Sequence, residues 1–286
     1  MITGKIDLHM HSAVSDGTDT PEEIIGRVKE AGIGLFALSD HDAVKGCARV
    51  RACLAPGDPL FINGAEFSCK DEKGKYHVLG YGYDDKSPAI LDLVALGHGY
   101  RMSKVKKRLD FLKREFGFTF SDEDLKALFS LDNPGKPHIG NLMVKYGYAA
   151  SKEEAIDVYI DKFHAGSEYV RPEEAVRAIL EAGGVPVLAH PSYGRGDDLI
   201  LGDAMEERLR HLMDFGLQGV EAFYSGFTKK IRDEVLSFAE RFDLFVTAGS
   251  DYHGANKLVR LGDTGLPSPE EYPRGLVRFL RRVIPE

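Results

Sequence analysis

Near the start of the sequence, in the stretch KIDLHMHSAVSDG at residues 5–17, an aspartate and two histidines alternate with apolar residues. Successive side chains on a β-strand face opposite sides, so Asp7, His9 and His11 would share one face. Two imidazoles at positions i and i+2 can bind one ion, because neutral imidazole is a good ligand for zinc, manganese or iron. Two buried, hydrogen-bonded histidines produce the same pattern more often, so the pair alone does not decide.

Further histidines and carboxylates lie at or near the ends of other β-like segments, in LSDHD, NGAEFS, YHVLGYG, LAHPS, GVEAFY and GSDYHG. These residues are Asp40, His41, Asp42, Glu66, His77, His190, Glu221, Asp251 and His253. We expect them at the C-terminal ends of their strands, where α/β barrels build active sites. Together they indicate a metal cluster. Because carboxylates are many and no cysteine takes part, we expect a catalytic site and not a closed structural zinc site.

Glu66 is the natural candidate for a carboxylate that bridges two ions, since the sequence offers more ligands than one ion can use. Paired ions a few ångströms apart can share a hydroxide that attacks phosphorus or a carbonyl carbon. Glu66 is therefore predicted as a catalytic residue, and the reaction requires no serine or cysteine nucleophile.

Short β-like runs alternate with amphipathic helical runs over most of the chain, which predicts a parallel sheet with helices outside. Either a barrel or a doubly wound sheet fits this pattern. The alternation stops at residues 87–168, where runs such as SKVKKRLDFLKREFG and SKEEAIDVYIDKF have a helical pattern. We therefore expect one domain formed by residues 1–86 and 169–286, with a mainly helical insertion at 87–168.

The composition, with 43% hydrophobic and 29% charged residues, is that of a soluble globular protein. No apolar run approaches the roughly 20 residues of a membrane helix. No signal-peptide pattern precedes the first strand, so we expect a cytoplasmic location. The net charge of −8 disfavours an extended nucleic-acid surface but leaves room for a small anionic substrate. The three cysteines show no metal or disulfide spacing.

The motifs DLHMHSAVSDG, LSDHD, GAEFS, HVLGY, AHP and GSDYHG, in this order, resemble the polymerase and histidinol phosphatase (PHP) superfamily of metal-dependent phosphoesterases. Within it, the sequence is most similar to the branch that acts on nucleoside 3′,5′-bisphosphates and short RNA 5′ ends, with some members acting on cyclic phosphodiesters. The resemblance implies a distorted, TIM-like barrel of seven strands. It also implies two to three divalent ions of manganese, zinc, iron or magnesium.

The resemblance implies a ligand set for each of three ions. His9, His11, Glu66 and Asp251 would hold the first ion, Glu66, His77 and His190 the second, and Asp16, His41 and His253 the third. Asp16 is informative because many relatives have a histidine in this loop, whereas the favoured branch has aspartate. Asp7 lies deeper in the strand and is expected to orient an imidazole.

A substrate with a second phosphate would need cations outside the metal cluster. The candidates are Arg101, Lys104, Arg108, Lys136, His138, Arg171 and Arg195. His138 follows Pro137 at the start of a helical run and matches the family's substrate-facing position. Either His138 or His253 could protonate the leaving oxygen. Most lysines of SKVKKRLDFLKR are expected to lie on a solvated helix face.

Two positions depart from the favoured branch. Lys136 stands where an arginine is common, and lysine lacks the planar fork with which arginine binds phosphate through two hydrogen bonds. Tyr193 stands where the branch tends to have an arginine after the His-Pro dipeptide. A nucleoside 3′,5′-bisphosphate or a short 5′-phosphorylated RNA is therefore the expected substrate, with a cyclic or sugar phosphodiester as the alternative.

Two other classes of function fit parts of the pattern. A metal-dependent amidohydrolase also uses a barrel with an HxH strand, but such barrels often carry a carboxylated lysine or a late lone aspartate. A non-catalytic PHP module would serve a structural or partner-binding role. That reading predicts eroded metal ligands, and none of the principal candidates is missing from this sequence.

Overall fold

A computed structural model describes residues 4–164, 166, 168–194 and 199–284 of the protein. In this part of the chain, seven strands form one sheet whose spatial order follows the sequence. The strands are β1 (Lys5–Asp7), β2 (Ile33–Leu38), β3 (Leu60–Lys70), β4 (Lys75–Tyr81), β5 (Val185–Leu188), β6 (Gly219–Tyr224) and β7 (Phe245–Gly249). The protein thus has the α/β architecture expected from the alternating pattern.

Helices connect most of the strands in the described part of the chain. They are α1 (Pro21–Glu30), α2 (Lys45–Cys53), α3 (Pro88–Phe116), α4 (Asp122–Ser130), α5 (Lys136–Lys145), α6 (Lys152–Glu154), α7 (Pro172–Glu181), α8 (Gly202–Met213), α9 (Lys229–Arg241) and α10 (Arg274–Val283). Helix α1 begins as the sequence predicts, since Thr20 and Glu23 form a reciprocal capping box ahead of Pro21. None of these helices is long and apolar enough to cross a membrane.

The sheet is parallel except at β4, which runs antiparallel to both β3 and β5. Residues 71–74 alone separate β3 from β4. A connection this short can join only antiparallel strands, because a parallel crossover needs about a dozen residues or more. The expectation of a fully parallel sheet is therefore wrong at this strand.

The predicted first strand is shorter than expected, because β1 ends at Asp7 and both histidines follow it. The backbone beyond β1 nevertheless pairs with the backbone at the end of β7. His9 O accepts a hydrogen bond of 2.7 Å from Asp251 N, and His11 N donates one of 2.8 Å to Tyr252 O. This pairing keeps the alternation, so that Leu8 and Met10 enter the hydrophobic core while the histidines face the opposite side.

The core lies on both sides of the strands. One cluster of buried residues includes Ile6, Leu8 and Leu79 and is covered by Phe279 of α10, which is fully buried. A larger cluster packs helices α7, α8 and α9 against the strands. Fully burying such a side chain contributes about 1.5–3 kcal/mol, so these contacts hold the strand ends in fixed positions.

The region between β4 and β5 contains helices α3 to α7. Helix α3 ends at Phe116, and Gly117 after it closes the helix in a left-handed conformation with a φ of 73°. After α6 the chain continues as a π-helical turn (Ala155–Tyr159) and a 3-10 turn (Ile160–Lys162). These helices share a hydrophobic cluster of their own, with Val105, Leu112, Leu128, Ile139, Met143, Ala149, Ala155 and Ile160 buried in it.

Candidate metal centre

Glu66 lies at the centre of the histidines that the sequence singled out. Its Oε2 atom is 3.0 Å from Nδ1 of His41 and 3.3 Å from Nε2 of both His9 and His11. Its Oε1 atom is 2.9 Å from Nδ1 of His77 and 3.2 Å from Nε2 of His190. The two oxygens of one buried carboxylate therefore face different imidazoles, three at Oε2 and two at Oε1.

The remaining predicted ligands lie around this carboxylate. Oδ1 of Asp251 is 3.4 Å from Nε2 of His9 and 3.3 Å from Nε2 of His11. Three groups have ligand atoms close enough to share an ion: His9, His11 and Asp251; His41, Glu66 and His77; and His11, Asp16, His41 and His253. The groups overlap more than the family resemblance implies, since His11 and His41 each belong to two of them.

Several buried nitrogen atoms in this region are oriented towards a common centre. Nε2 of His9, Nε2 of His11 and Nδ1 of His41 have no hydrogen-bond partner among the described residues. Each nevertheless lies 3.0–3.4 Å from a carboxylate oxygen. Unpartnered buried polar groups are costly, and a cation between nitrogen lone pairs and carboxylate oxygens would satisfy both. The residues therefore fit divalent metal ions.

The pKa shifts of the buried histidines and of Glu66 also indicate a site for positive charge. Burial lowers the pKa of His9, but the carboxylates of Glu221, Glu66 and Asp251 outweigh burial and hold that pKa well above its usual range. Burial likewise lowers the pKa of His11, yet the nearby carboxylates of Asp251 and Glu66 raise it to about 9. Burial raises the pKa of Glu66, but the neighbouring imidazoles hold it well below its usual range. The site therefore favours positive charge next to ionised carboxylates.

Strand β6 contributes side chains that hold the predicted ligands in place. Oε1 of Glu221 is 2.9 Å from Nδ1 of His9. The hydroxyl of Tyr224 donates a hydrogen bond of 2.8 Å to Oδ2 of Asp251. Lys257 contacts the same Asp251 oxygen. These contacts leave Nε2 of His9 and Oδ1 of Asp251 facing the centre of the site.

Asp7 does not orient an imidazole as the sequence suggested. Its carboxylate accepts hydrogen bonds from the backbone amides of His9, Ser250 and Gly262 at 2.7–3.3 Å. Asp7 therefore fixes the backbone that carries the ligands, and Glu221 contacts the His9 ring instead. The expectation failed because the sequence does not show which carboxylate lies beside the imidazole plane.

Asp40 holds the loop that carries Asp16. Its carboxylate accepts hydrogen bonds from the Ser12 amide at 2.7 Å and from the Ser12 and Ser15 hydroxyls at 2.7 Å and 2.8 Å. Oδ1 of Asp40 accepts two of these bonds, one from Ser12 and one from Ser15, and so holds these two loop residues close together. Asp40 thus positions the loop and lies outside the three groups of possible ligands.

The expectation that every ligand follows the C-terminal end of a strand is wrong for two residues. His77 is near the start of β4, and Glu66 lies within the long strand β3. The reversed direction of β4 explains the position of His77, since its N-terminal end lies at the edge where the parallel strands end. His77 pairs with Ser68, two residues after Glu66, which brings the two side chains together.

A cavity of about 340 Å³ adjoins the cluster, and Asp16, His41 and His77 contribute to its lining. The lining also includes Tyr169 and five cationic residues, which are Lys75, Arg101, Lys104, Arg108 and Lys136. The arrangement places positive charge beside the possible metal ligands, so the cavity suits an anionic molecule that reaches both.

Two of these cations are buried. Lys104 and Arg108 are each only 7% exposed, so Lys104 is an exception to the solvated helix face expected for most lysines of this segment, whereas Lys106, Lys107 and Lys113 are exposed as expected. The Lys104 ammonium lies 3.7 Å from the centroid of the Tyr169 ring, and burial lowers its pKa to about 7. Nε of Arg108 has no hydrogen-bond partner in the described part of the chain.

The other predicted substrate residues are less available. Arg101 pairs with the buried carboxylate of Asp42 at 2.9 Å, and Lys136 pairs with Asp161. Arg171 is about half exposed and pairs with Glu72 at 3.3 Å, outside the lining of the 340 Å³ cavity. Arg195 lies outside the described residues.

His138 lies at the start of α5, where its Nδ1 accepts a hydrogen bond of 3.0 Å from Gly135 N. Burial lowers its pKa. His253 lies within the possible ligand groups, with Nε2 3.4 Å from Oδ1 of Asp16 and its ring stacked on His11 at 4.1 Å. The two proposed proton donors therefore have different surroundings.

Three hydrogen bonds that the sequence did not predict connect the helical region, directly or through Asn256, to the backbone of His41 and Asp16. Asn133 donates to the carbonyl oxygen of His41. Lys152 donates to the carbonyl oxygen of Asn256 at 2.6 Å, and Asn256 in turn donates to the carbonyl oxygen of Asp16 at 2.8 Å. No sequence pattern marks such bonds, since they form between side chains and backbone carbonyls far apart in the chain.

Comparison with curated proteins gives relatives that extend over nearly the whole chain. Phosphoribosyl 1,2-cyclic phosphate 1,2-diphosphodiesterase of Eggerthella lenta is 30% identical over 275 residues, which cover 92% of this chain and 98% of that protein. 3′,5′-Nucleoside bisphosphate phosphatase of Chromobacterium violaceum is 30% identical over 262 residues, which cover 87% of each chain. Both relatives are named as enzymes that act on phosphate esters.

Solved structures and family models give the same assignment. A crystal structure from Bifidobacterium adolescentis, described as a metal-dependent phosphoesterase, superposes with a TM-score of 0.83 at 28% identity. The superposition covers 98% of this chain and 96% of that one. The family model of the PHP domain matches residues 7–170. With its central carboxylate, its ring of histidines and these relatives, the chain belongs to the PHP domain family.

Proposed function

We propose that this protein is a metal-dependent phosphoesterase that hydrolyses phosphate esters of small nucleotides, either a nucleoside 3′,5′-bisphosphate or a short 5′-phosphorylated RNA. The observation that carries the proposal is the position of Glu66, whose two oxygens face different imidazoles at 2.9–3.3 Å, three at Oε2 and two at Oε1. A carboxylate shared in this way suits two ions that act on one substrate group. The names of both curated relatives support phosphate esters as substrates.

Two to three divalent ions would be held by the buried ligands. These ligands are His9, His11, Asp16, His41, Glu66, His77, His190, Asp251 and His253. When bound, such ions lower the pKa of water and neutralise charge on phosphoryl oxygens. The donors are imidazoles and carboxylates without thiolates, which suits manganese, zinc, iron or magnesium.

Cations that line the cavity would hold a second anionic group of the substrate. Lys104 and Arg108 are the best placed, because both are buried and neither has a carboxylate partner among the described residues. An anion there would also satisfy the unpartnered Nε of Arg108. Arg101 and Lys136 would add positive charge while their carboxylate partners fix their positions.

His138 is the better supported partner of the leaving oxygen. Because Nδ1 accepts a hydrogen bond from Gly135 N, the neutral ring carries its proton on Nε2, which can donate a hydrogen bond to that oxygen. Burial lowers the pKa of His138 and so favours this neutral ring. His253 is better suited to ligation, since both of its nitrogens face oxygens of residues in the cluster.

The fold would serve this reaction as a distorted seven-stranded barrel. Hydrogen bonds between the segments that follow β1 and those at the end of β7 support closure of the sheet. Residues 1–86 and 169–286 would form the barrel, with 87–168 as a helical cap over the cavity. The separate hydrophobic cluster of the helical region supports this division.

A cyclic phosphodiester is the second candidate substrate. It is favoured by the Eggerthella lenta relative, which is named for a cyclic phosphate and of which this chain covers 98%. Lys136 also supports it, because its ion pair with Asp161 leaves less positive charge for a second phosphate than an arginine fork would.

The proposal is tested with purified protein reconstituted with Mn²⁺ and assayed for hydrolysis of adenosine 3′,5′-bisphosphate, a short 5′-phosphorylated RNA and a ribose cyclic phosphate. We expect turnover that depends on Mn²⁺ and falls to background in His9→Ala. His98→Ala is the matched control, because this histidine lies in α3 outside the possible ligand groups. Absence of hydrolysis of all three substrates at several pH values would refute the proposal.

A further inference from the structure

Strand β6 supplies none of the predicted ligands, yet it carries a carboxylate that contacts two of them. Glu221 is completely buried. Its Oε1 atom is 2.9 Å from Nδ1 of His9, and its Oε2 atom accepts a hydrogen bond of 2.9 Å from the backbone amide of His190. One side chain therefore touches residues that lie on opposite sides of Glu66.

The contact with His9 fixes which ring nitrogen faces the cluster. A proton on Nδ1 donated to Glu221 leaves Nε2 with its lone pair free. That Nε2 atom is buried, lacks a hydrogen-bond partner among the described residues and lies 3.3 Å from Oε2 of Glu66. Glu221 thus sets both the tautomer of His9 and the direction of its donor atom.

The contact with His190 acts through the backbone. His190 has a φ of 27°, a conformation that residues other than glycine rarely adopt. The hydrogen bond from its amide to Glu221 stabilises this conformation, and the His190 ring then places Nε2 3.2 Å from Oε1 of Glu66. Glu221 therefore also helps to position an imidazole that faces the other oxygen of Glu66.

We infer that Glu221 is a positioning residue that couples His9 and His190, which face different oxygens of Glu66, and so couples the ions that these imidazoles would hold. The inference deepens the proposed function and rests on its metal centre. A carboxylate offers an acceptor oxygen to each partner, whereas a carboxamide has only one acceptor and one donor. In Glu221→Gln, either the Nδ1 proton of His9 or the amide of His190 must face an NH₂ group.

The test measures bound Mn²⁺ in Glu221→Gln and wild type, by metal analysis for stoichiometry and by titration calorimetry for affinity. Removing a group that orients a metal ligand weakens metal binding by about 10- to 100-fold. Because Glu221 contacts both His9 and His190, we expect Mn²⁺ binding to weaken at two ion positions together. Thr247→Val is the matched control, since Thr247 pairs with Glu221 across β6 and β7 and is equally buried; it should bind like wild type.

A second measurement needs no variant. In wild-type protein labelled with ¹⁵N and loaded with Zn²⁺, the ring signals of His9 should show a protonated Nδ1 and a metal-bound Nε2. The opposite assignment overturns the inference, as does a Glu221→Gln protein that keeps both ions at wild-type affinity or loses only one. Wild-type protein that takes up no Mn²⁺ or Zn²⁺ would instead refute the proposed function, so the two failures are distinguishable.

Discussion

Replacing Gly249 with alanine tests how tightly the cluster is packed. Gly249 is the last residue of β7. An alanine Cβ there would overlap Cβ of His9 and come within 2.5 Å of Oε1 of Glu221 and 3.0 Å of His9 N. The Glu221 contact is about 1 Å shorter than the usual separation of about 3.5 Å. Neither neighbour can yield easily, because one atom is fixed to the backbone and the other is held by hydrogen bonds.

We expect two effects from this methyl group. Overpacking of a filled core lowers the free energy of unfolding by about 1–3 kcal/mol. Displacement of His9 by about 1 Å lowers turnover by about 100-fold, because the reacting groups lose their alignment. Urea denaturation followed by circular dichroism measures the first effect, and hydrolysis of adenosine 3′,5′-bisphosphate with Mn²⁺ measures the second.

Gly26→Ala is the control for the loss of a glycine. Gly26 lies on the exposed face of α1 with nothing within 4 Å of an added Cβ. Alanine there should raise the free energy of unfolding by about 0.5–1 kcal/mol and leave turnover unchanged. A Gly249→Ala protein with wild-type stability, wild-type Mn²⁺ affinity and full activity would refute the packing argument.

Three further predictions follow from the same geometry. The pKa of Lys104 is lowered to about 7, so its positive charge is lost as the pH rises through 7. KM for a bisphosphate should therefore rise above that pH in wild type and stay level in Lys104→Met. Equal pH profiles of the two proteins would contradict contact between Lys104 and the substrate. Asp42→Asn leaves Arg101, whose side chain is only 11% exposed, without its charged partner and should lower the free energy of unfolding by about 3–5 kcal/mol, measured by urea denaturation. Removing metal with a chelator should lower the melting temperature, and adding Mn²⁺ should restore it.

Much of the fold could be predicted from local pattern. The alternation of β-like and helical runs gave the α/β class, and the Thr20–Glu23 capping box follows directly from residue spacing. The direction of β4 was also within reach, because the four residues 71–74 are too few for a parallel crossover. The alternation of residues within each strand does not show its direction, which depends on the length of the connection between strands.

The candidate site was predictable as a set of residues but not as a set of contacts. His9, His11 and Glu66 could be singled out because their chemical type is rare on a buried strand. The partners of Glu221 could not, since its two contacts join segments 212 and 31 residues away. The burial of Lys104 and Arg108 depends on Tyr169 and the cavity walls, which no helical periodicity shows.

The pairing between the segment after β1 and the end of β7 has a consequence for how the protein is made. His9 O accepts its hydrogen bond from Asp251 N, so ligands more than two hundred positions apart must meet before the cluster exists. Contacts between such distant residues form late, because closing a long loop costs entropy before the contact stabilises it. During synthesis, the growing chain therefore holds His9 and His11 without Asp251 until residue 251 has left the ribosome. High-affinity metal uptake would then mark the completion of folding.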